Sequence, residues 1–548
     1  MTKLPLSLSV LSGVVLLSAC GGTAFNKYDA SLPRHSLPAE QAAAPSPVAG
    51  KMQAIAGAGV RTQANTPLAS AEPGRENYSK LEELSVKAVS AEPVSTFSID
   101  VDTASYTNVR RFLQAGQLPP KDAVRVEEMI NYFPYNYPHQ AGSRPFAVYT
   151  EIAPAPWGVD KHLIRIGIKA QDIKAALLPA ANLVFLVDVS GSMNEPNKLP
   201  LLQASLKLLV DQLKAGDHVS LVTYASGTKV VLEPSADKNQ IKRAIDQLVA
   251  GGGTAGAAGI QLAYQMARQG FIKGGINRIL LATDGDFNVG VTSIDALKEM
   301  VEKEREAGVS LSTLGFGMGN YNDALMEQVA DIGNGNYHYI DNLNEGQKVL
   351  VDEMSSTLAT VAKDVKIQVE FNPEQVKEYR LIGYENRQLK REDFNNDKVD
   401  AGDIGAGHTV TALYEVTFAG KAGYLEPLRY EAKPAKKTTQ SDELGFLRLR
   451  YKAPDGKNSQ LIEIPLQRRD VLNSFNQASN EFRFATAVAG FGQLLRNGRY
   501  ISDFNYAKVA AIAGNARGDD TFGYRGEFLQ LVKLAKSLTP AAAESGRD

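Results

Sequence analysis

The central third of the chain alternates short apolar stretches with amphipathic ones, and this pattern constrains the fold more than any other feature. Apolar runs lie at residues 183–187, 219–224, 278–282 and 309–314. Helical periodicity separates them, at residues 201–214, 239–249, 255–269, 294–307 and 324–332. Apolar strands that alternate with amphipathic helices are typical of a mostly parallel sheet covered by helices on both faces. We therefore predict a doubly wound α/β domain over residues 180–345.

Stretches that alternate at period two lie on both sides of this domain. They occur before it at residues 146–152 and 162–169, and after it at residues 365–371, 409–417, 446–451 and 461–465. This alternation predicts half-buried strands. The simplest arrangement is a β-sandwich, built from residues 144–175 and 360–468, into which the α/β domain is inserted. Two separate β units would give the same pattern.

Helical segments are predicted at both ends of this assembly. Over residues 96–140, Asp102 or Thr103 is expected to cap a helix that starts with Tyr106. An alternative interpretation makes Asp100 and Asp102 the nucleophile and the acid of a phosphotransferase. Residues 474–548 form the C-terminal helical region, which we interpret as a packing cap over the sandwich or as a docking surface. A chain of 548 residues exceeds what one hydrophobic core usually supports.

The first 95 residues predict export and a lipid anchor. The apolar run at residues 4–19 is shorter than the ~20 residues that a membrane-spanning helix needs, and it ends in small residues, so residues 1–19 are predicted to be a signal peptide. Cys20 is the single cysteine and cannot form an internal disulfide. Residues 20–95 are rich in Ala, Pro, Ser and Glu, which predicts a disordered tether.

The stretch Leu-Ser-Ala-Cys that ends at Cys20 resembles the bacterial lipobox. The resemblance implies cleavage before Cys20 and attachment of acyl chains such as palmitate. Several acyl chains anchor a protein to a membrane where one would not. Gly21 resembles the signal for outer-membrane sorting. We therefore expect a lipid-anchored protein of the cell envelope, on the outer membrane and facing the periplasm.

Oxygen-bearing side chains follow several predicted strands of the central domain. Asp188, Ser190 and Ser192 occupy alternate positions where a strand becomes a loop, Thr254 ends a glycine-rich loop, and Asp284 follows another strand. In parallel sheets, ligands bind beyond the carboxyl ends of the strands. A set of oxygen ligands suits Mg2+ or Mn2+ rather than zinc. The five residues therefore predict a metal site, although each alone is also typical of helix caps and turns.

These residues resemble the metal-ion-dependent adhesion site of von Willebrand factor A (VWA) domains, which has the pattern Asp-x-Ser-x-Ser, a distant Thr and a distant Asp. The resemblance implies that the two serines, and in some states Thr254, bind the ion directly, while Asp188 and Asp284 act mainly through water. Such an ion can accept the carboxylate of an acidic protein partner. Together with residues 97–106, 125–133 and the C-terminal region, the motif resembles a family of bacterial VWA lipoproteins.

Composition and motifs exclude several other functions. Lys and Arg number 59 against 61 Asp and Glu, which gives no basic surface for nucleic acid. None of the six histidines lies in a ligand motif, Ser190 is not in the Gly-x-Ser-x-Gly motif, and no phosphate-binding loop with its lysine occurs. We therefore predict that the protein is not an enzyme and has no small-molecule substrate.

The sequence thus predicts a membrane-anchored binding or adhesion protein that recognises an acidic protein partner through Mg2+. A metal-independent scaffold or assembly factor of the envelope is the first alternative, and a metal-dependent hydrolase is the second. A lysine or arginine lying between the five oxygen-bearing side chains would contradict the adhesion hypothesis.

Overall fold

The computed structural model describes residues 76–138, 144–254, 256–285, 294–426 and 442–540. The predicted signal peptide, the predicted lipidation site Cys20 and the tether up to residue 75 lie outside these described residues. Within the described ranges, no helix is both long enough and apolar enough to cross a membrane.

Sixteen strands lie in the described part of the chain. They are β1 Lys87–Ala88, β2 Val94–Ser98, β3 Phe146–Pro154, β4 Lys161–Ala170, β5 Ala181–Asp188, β6 His218–Tyr224, β7 Thr228–Ser235, β8 Ile276–Thr283, β9 Ser310–Phe316, β10 Tyr337–Ile340, β11 Thr360–Phe371, β12 Val376–Ile382, β13 Ile404–Gly405, β14 Thr409–Phe418, β15 Glu443–Lys452 and β16 Ser459–Gln467.

Twelve α-helices accompany these strands in the same ranges. They are α1 Ala104–Gln114, α2 Val126–Asn131, α3 Leu199–Gln212, α4 Lys238–Asp246, α5 Gly256–Gln269, α6 Ile294–Glu306, α7 Asp323–Ile332, α8 Leu343–Gln347, α9 Met354–Leu358, α10 Asn480–Leu495, α11 Tyr506–Asn515 and α12 Tyr524–Leu538.

A six-stranded sheet with helices on both faces forms the centre of the chain. Its strand order is β10-β9-β8-β5-β6-β7, and all neighbours are parallel except the β6–β7 pair. Successive residues of β5 point to opposite faces, so Phe185 packs in a core with α3 and α4, and Leu186 packs in a core with α5. The prediction of an α/β domain with a mostly parallel sheet is confirmed.

Two antiparallel sheets are built from strands that precede and follow the central domain. One has the order β1-β12-β14-β4-β3, and the other has the order β13-β11-β15-β16, with β2 paired to β11. Strand β4, which precedes the domain, pairs with β14, which follows it, from Lys161 opposite Thr417 to Lys169 opposite Thr409. Residues from both sheets, such as Ile166 and Leu447, form one hydrophobic core.

The helices near the two ends of the described chain pack on each other. Side chains of α1, α2, α10, α11 and α12 form one core, which also includes Leu163 of β4 and Leu413 of β14. Strand β14 is buried along its whole length, because the helices cover one face of its sheet and the second antiparallel sheet covers the other. These contacts fix the C-terminal helices against the N-terminal ones.

The structure corrects two predictions for the N-terminal segment. The tether was expected to reach residue 95, but Val89 is buried in the core and β1 pairs with β12, since this stretch finds apolar and strand partners far along the chain. Thr103 occupies the predicted N-cap position of α1, but neither its side chain nor that of Asp102 makes a capping hydrogen bond to the helix. The Asp102 carboxylate accepts from Tyr337 N at 2.8 Å, and the Thr103 hydroxyl lies 3.1 Å from His338 Nδ1.

Candidate functional site

The carboxyl end of β5 places Asp188 at the centre of the candidate site, fully buried. One carboxylate oxygen accepts from Ser190 N at 2.8 Å, and the other accepts from the hydroxyls of Thr283, at 2.9 Å, and Tyr224, at 3.2 Å. Burial, together with the nearby charge of Asp284, raises the pKa of Asp188, while hydrogen bonds from Ser190 oppose this shift. These donors hold both oxygens in fixed directions.

The two serines of the motif present their hydroxyls side by side. Ser190 precedes a single helical turn, Gly191–Asn194, and its Oγ lies 3.0 Å from the Oγ of Ser192. In an octahedral Mg2+ site with bonds of about 2.1 Å, neighbouring ligands lie about 3.0 Å apart. The hydroxyl pair therefore has the separation of two adjacent ligands of such an ion.

The glycine-rich loop before Thr254 lies against the serine turn. Gly191 N donates to Gly252 O at 3.0 Å, and Gly251 N donates to Val189 O at 2.8 Å. Gly253 N donates to the hydroxyl of Ser226, which follows β6. Residues 251–253 are exposed and Thr254 is half-buried, so this side of the site faces solvent. The two loops bring Thr254 to the same edge of the sheet as Asp188.

Asp284 follows β8 and is fully buried beside β5. Its Oδ2 accepts from the ammonium group of Lys198 at 2.8 Å, and the Lys198 side chain is itself buried. Gly285, which follows, has a φ of +88°, and a Cβ on it would lie 2.4 Å from Asn322 N. Glycine is therefore required where the chain turns away from Asp284.

The structure brings all five predicted residues to the carboxyl edge of the central sheet. Their donor atoms are carboxylate and hydroxyl oxygens, which are the ligands that Mg2+ and Mn2+ prefer. Among the described residues, no group of three or more His, Cys, Asp and Glu side chains is arranged to hold a metal. The candidate site is of another kind, since two carboxylates and three hydroxyls make up its donors, and this set fits a hard divalent cation.

Three further residues of the site were not assigned a role from the sequence. Thr283 and Tyr224 orient Asp188, and Lys198 pairs with Asp284. Lys198 follows Asp188, Ser190 and Ser192 in the sequence and directly precedes α3. The sequence around it does not indicate the direction of its side chain. A lysine between the five oxygen-bearing side chains was expected to contradict ion-mediated adhesion. Lys198 contacts one of these side chains, that of Asp284, so a function proposed for the site must explain this ion pair.

Three protein-family models match three consecutive parts of the chain. The family model described as von Willebrand factor type A domain matches residues 182–353, and the model described as von Willebrand factor matches residues 72–165. A third model, described as Uncharacterized protein YfbK, C-terminal, matches residues 356–538. The central domain is thus a VWA domain, a class that suggests a role in protein interaction or adhesion.

Individual proteins extend this result. The Uncharacterized protein YfbK of Escherichia coli (strain K12) is 51% identical over 482 residues, which cover 86% of this chain and 82% of that protein. The Uncharacterized protein sll0103 of Synechocystis sp. is 30% identical over 195 residues, which cover 35% of this chain and 45% of that protein. The chain therefore belongs to the family of YfbK.

Some of the solved structures that the chain matches cover a large part of it. The protein described as von Willebrand factor type A from Catenulispora acidiphila covers 74% of this chain and 93% of its own length, with 17% identity and a TM-score of 0.40.

Proposed function

We propose that this protein is a membrane-anchored binding protein of the cell envelope, which recognises an acidic protein partner through Mg2+ or Mn2+ held at the candidate site. The observation that carries the proposal is the 3.0 Å separation of the Ser190 and Ser192 hydroxyls beside two buried carboxylates. Neutral hydroxyl ligands leave the ion electrophilic, so a carboxylate from the partner can complete its coordination. This role requires no chemical turnover, and we propose none.

The surroundings of the site support a partner of protein size. Residues 251–253 are exposed on one side of the site. Met318, which follows β9, is 49% exposed, and β9 is separated from β5 in the sheet by β8. Methionine is enriched in protein interfaces relative to the rest of the surface. A carboxylate of the partner would thus reach the ion while its neighbouring side chains contact the surrounding loops.

We also propose that Cys20 carries the lipid anchor and that the two antiparallel sheets form one β-sandwich, into which the VWA domain is inserted. The shared core of the two sheets and the β4–β14 pairing support the insertion. For the anchor, Cys20→Ser should move the protein from the membrane fraction to the supernatant. Retention of that variant in the membrane fraction would contradict the lipid anchor.

The test of ion-mediated recognition is capture from envelope extracts by the full chain, in Mg2+ and in EDTA. We expect partners that are captured in Mg2+, released by EDTA and restored by Mn2+. Binding should also require an acidic group, so blocking the carboxylates of the captured protein should abolish it. Partner sets that are identical with and without EDTA would contradict the proposal.

The ion pair of Lys198 with Asp284 favours a second candidate function, a metal-independent scaffold or assembly factor. In that function the ammonium group would take the place of a metal as the permanent counter-charge of Asp284. The same capture experiment separates the two functions, because a scaffold of this kind should retain its partners in EDTA.

A further inference from the structure

Lys198 occupies a fixed position at the candidate site. It directly precedes α3, and its side chain is 7% exposed. The aliphatic part of the side chain lies over Gly317, where a Cβ would come within 2.3 Å of Lys198 Cε. Gly317 has a φ of +75°, so both its conformation and the space that the lysine takes require glycine. The lysine is therefore built into the site and does not sample the surface.

The lysine and the hydroxyl pair reach the site from different sides. Gly317 follows β9, whereas Ser190 and Ser192 follow β5. Strand β8, which carries Asp284 at its end, lies between β9 and β5 in the sheet. The Lys198 side chain thus approaches Asp284 over the β9 side, while the two serine hydroxyls lie on the β5 side. This arrangement allows the ammonium group to act on the site at short range.

The charges at the site imply that Lys198 strongly affects the affinity for a divalent ion. Asp188 and Asp284 are both fully buried and supply two negative charges, of which the ammonium group of Lys198 neutralises one. In surroundings of low dielectric, repulsion between an ammonium group and a divalent cation a few ångströms away is large. Lys198 also holds Asp284 Oδ2, an oxygen to which a water bound to the ion would otherwise donate.

We propose that Lys198 is an affinity-determining residue, which keeps the divalent-ion affinity of this site low by holding Asp284 as its counter-charge. This inference rests on the proposed function of the site as a place for Mg2+ or Mn2+. The ion pair then sets the concentration range over which the site responds to the metal. Without the ammonium group, the two carboxylates would attract the ion with their full charge.

The test compares Lys198→Met with the wild-type protein, both as the full chain, by calorimetric titration with Mg2+ and with Mn2+. We expect Lys198→Met to bind both ions at least ten times more tightly. Lys207→Met is the matched control, because Lys207 lies on α3, the helix that Lys198 precedes, and its ion pair with Asp246 is on the surface. The control should bind the ions with wild-type affinity.

Thermal unfolding gives a second, independent measurement. In EDTA, Lys198→Met should unfold at a lower temperature than the wild type, because it removes the ammonium group that pairs with the buried Asp284 carboxylate. Mg2+ should then raise the unfolding temperature of Lys198→Met more than it raises that of the wild type. Should Lys198→Met not fold, Lys198→Gln, which keeps a donor for Asp284, is expected to show the same changes in smaller measure.

Equal or weaker metal binding by Lys198→Met would overturn the inference, and so would the absence of metal binding in both proteins. The first result leaves the proposed function intact, since the wild type would still bind the ion. The second result would overturn the proposed function as well. The proposed function also fails if the same partners are captured in EDTA and in Mg2+, a result that does not depend on Lys198. The two failures are thus distinguishable.

Discussion

Two regions of this protein bury carboxylates, two at the candidate site and a larger group elsewhere, and they surround them with different groups. At the candidate site, Asp188 and Asp284 share their surroundings with hydroxyl groups, one lysine and an exposed glycine loop. In the second region, here called the arginine cluster, one buried and one half-buried arginine pair with six carboxylates. Its members are Arg125, Arg387, Asp100, Asp102, Glu128, Asp323, Glu327 and Asp331.

The arginine cluster joins three parts of the chain. Arg125 lies before α2 and binds Asp323 of α7 in the VWA domain, with Nη1 2.5 Å from Oδ2. Arg387, which lies between β12 and β13, binds Asp102 at 2.9 Å and Asp331 of α7 at 2.6 Å. Guanidinium groups offer several donors in fixed directions, which suits them to hold carboxylates from different elements together.

The comparison teaches how to separate structural from functional carboxylates. In the cluster, burial raises the pKa of Glu128 to about 7 and that of Glu327 to about 8, although Arg125 opposes both shifts. Its charges are thus satisfied internally, by arginine and by protons. At the candidate site, the ligand oxygens of the serines lie beside a loop open to solvent. In the arginine cluster, guanidinium groups hold the carboxylates, whereas at the candidate site two serine hydroxyls lie beside them. The kind of neighbouring group, rather than the number of carboxylates, distinguishes the two regions.

The largest effect is expected from breaking the cluster. Arg125→Met should lower the free energy of unfolding by about 3–5 kcal/mol, because it leaves buried carboxylates without their partner. Urea unfolding measures the loss. Arg268→Met is the control, since Arg268 pairs with Glu304 at the surface, and it should cost less than about 1 kcal/mol. A loss for Arg125→Met no greater than that of the control would show that the cluster does not stabilise the fold.

A change at the candidate site should leave the free energy of unfolding nearly unchanged and weaken metal binding. Ser192→Ala removes a half-buried hydroxyl, so its free energy of unfolding in EDTA should stay within about 0.5 kcal/mol of the wild type. Binding of Mn2+, followed by electron paramagnetic resonance, should weaken at least tenfold. Ser235→Ala, at the surface, serves as the control. Unchanged Mn2+ binding by Ser192→Ala would remove the hydroxyl pair from the proposed site.

The smallest effect concerns pH and a carboxylate near the cluster. Burial, with the charges of Asp364 and Asp400, raises the pKa of Asp403 from its ordinary value of 3.8 to about 7. Between these values the folded protein keeps a proton that the unfolded chain has lost, so Asp403 makes the protein less stable as pH rises through this window.

Asp403→Asn removes this titration and keeps an acceptor for the backbone N–H of Asp364. The variant should therefore gain stability over the wild type at pH 8 relative to pH 5, by roughly 1–3 °C in Tm. Thermal unfolding of both proteins at the two pH values measures the difference. An equal change of Tm with pH in the two proteins would show that Asp403 does not retain a proton in the folded state.

The helices and strands were largely predictable from the sequence, and the polar contacts between them were not. The predicted strand 365–371 and the predicted helix 324–332 correspond to β11 and α7, because their apolar spacing indicates which face is buried. Asp102 was expected to cap a helix, which is the common local role of an Asp at that place. Its actual partners, Tyr337 N and Arg387, lie more than 200 residues away, and no local pattern indicates them.

By itself, the sequence determined the parallel α/β centre and indicated the five candidate ligand residues, because strand period and the order of oxygen-bearing side chains are properties of neighbours along the chain. The tertiary structure alone decided that residues 76–94 pack on the body, that the arginine cluster joins three segments, and that Lys198 binds Asp284. The physical reason is that these contacts join positions distant in the chain, and their free energy depends on burial and geometry that exist only after the chain has folded.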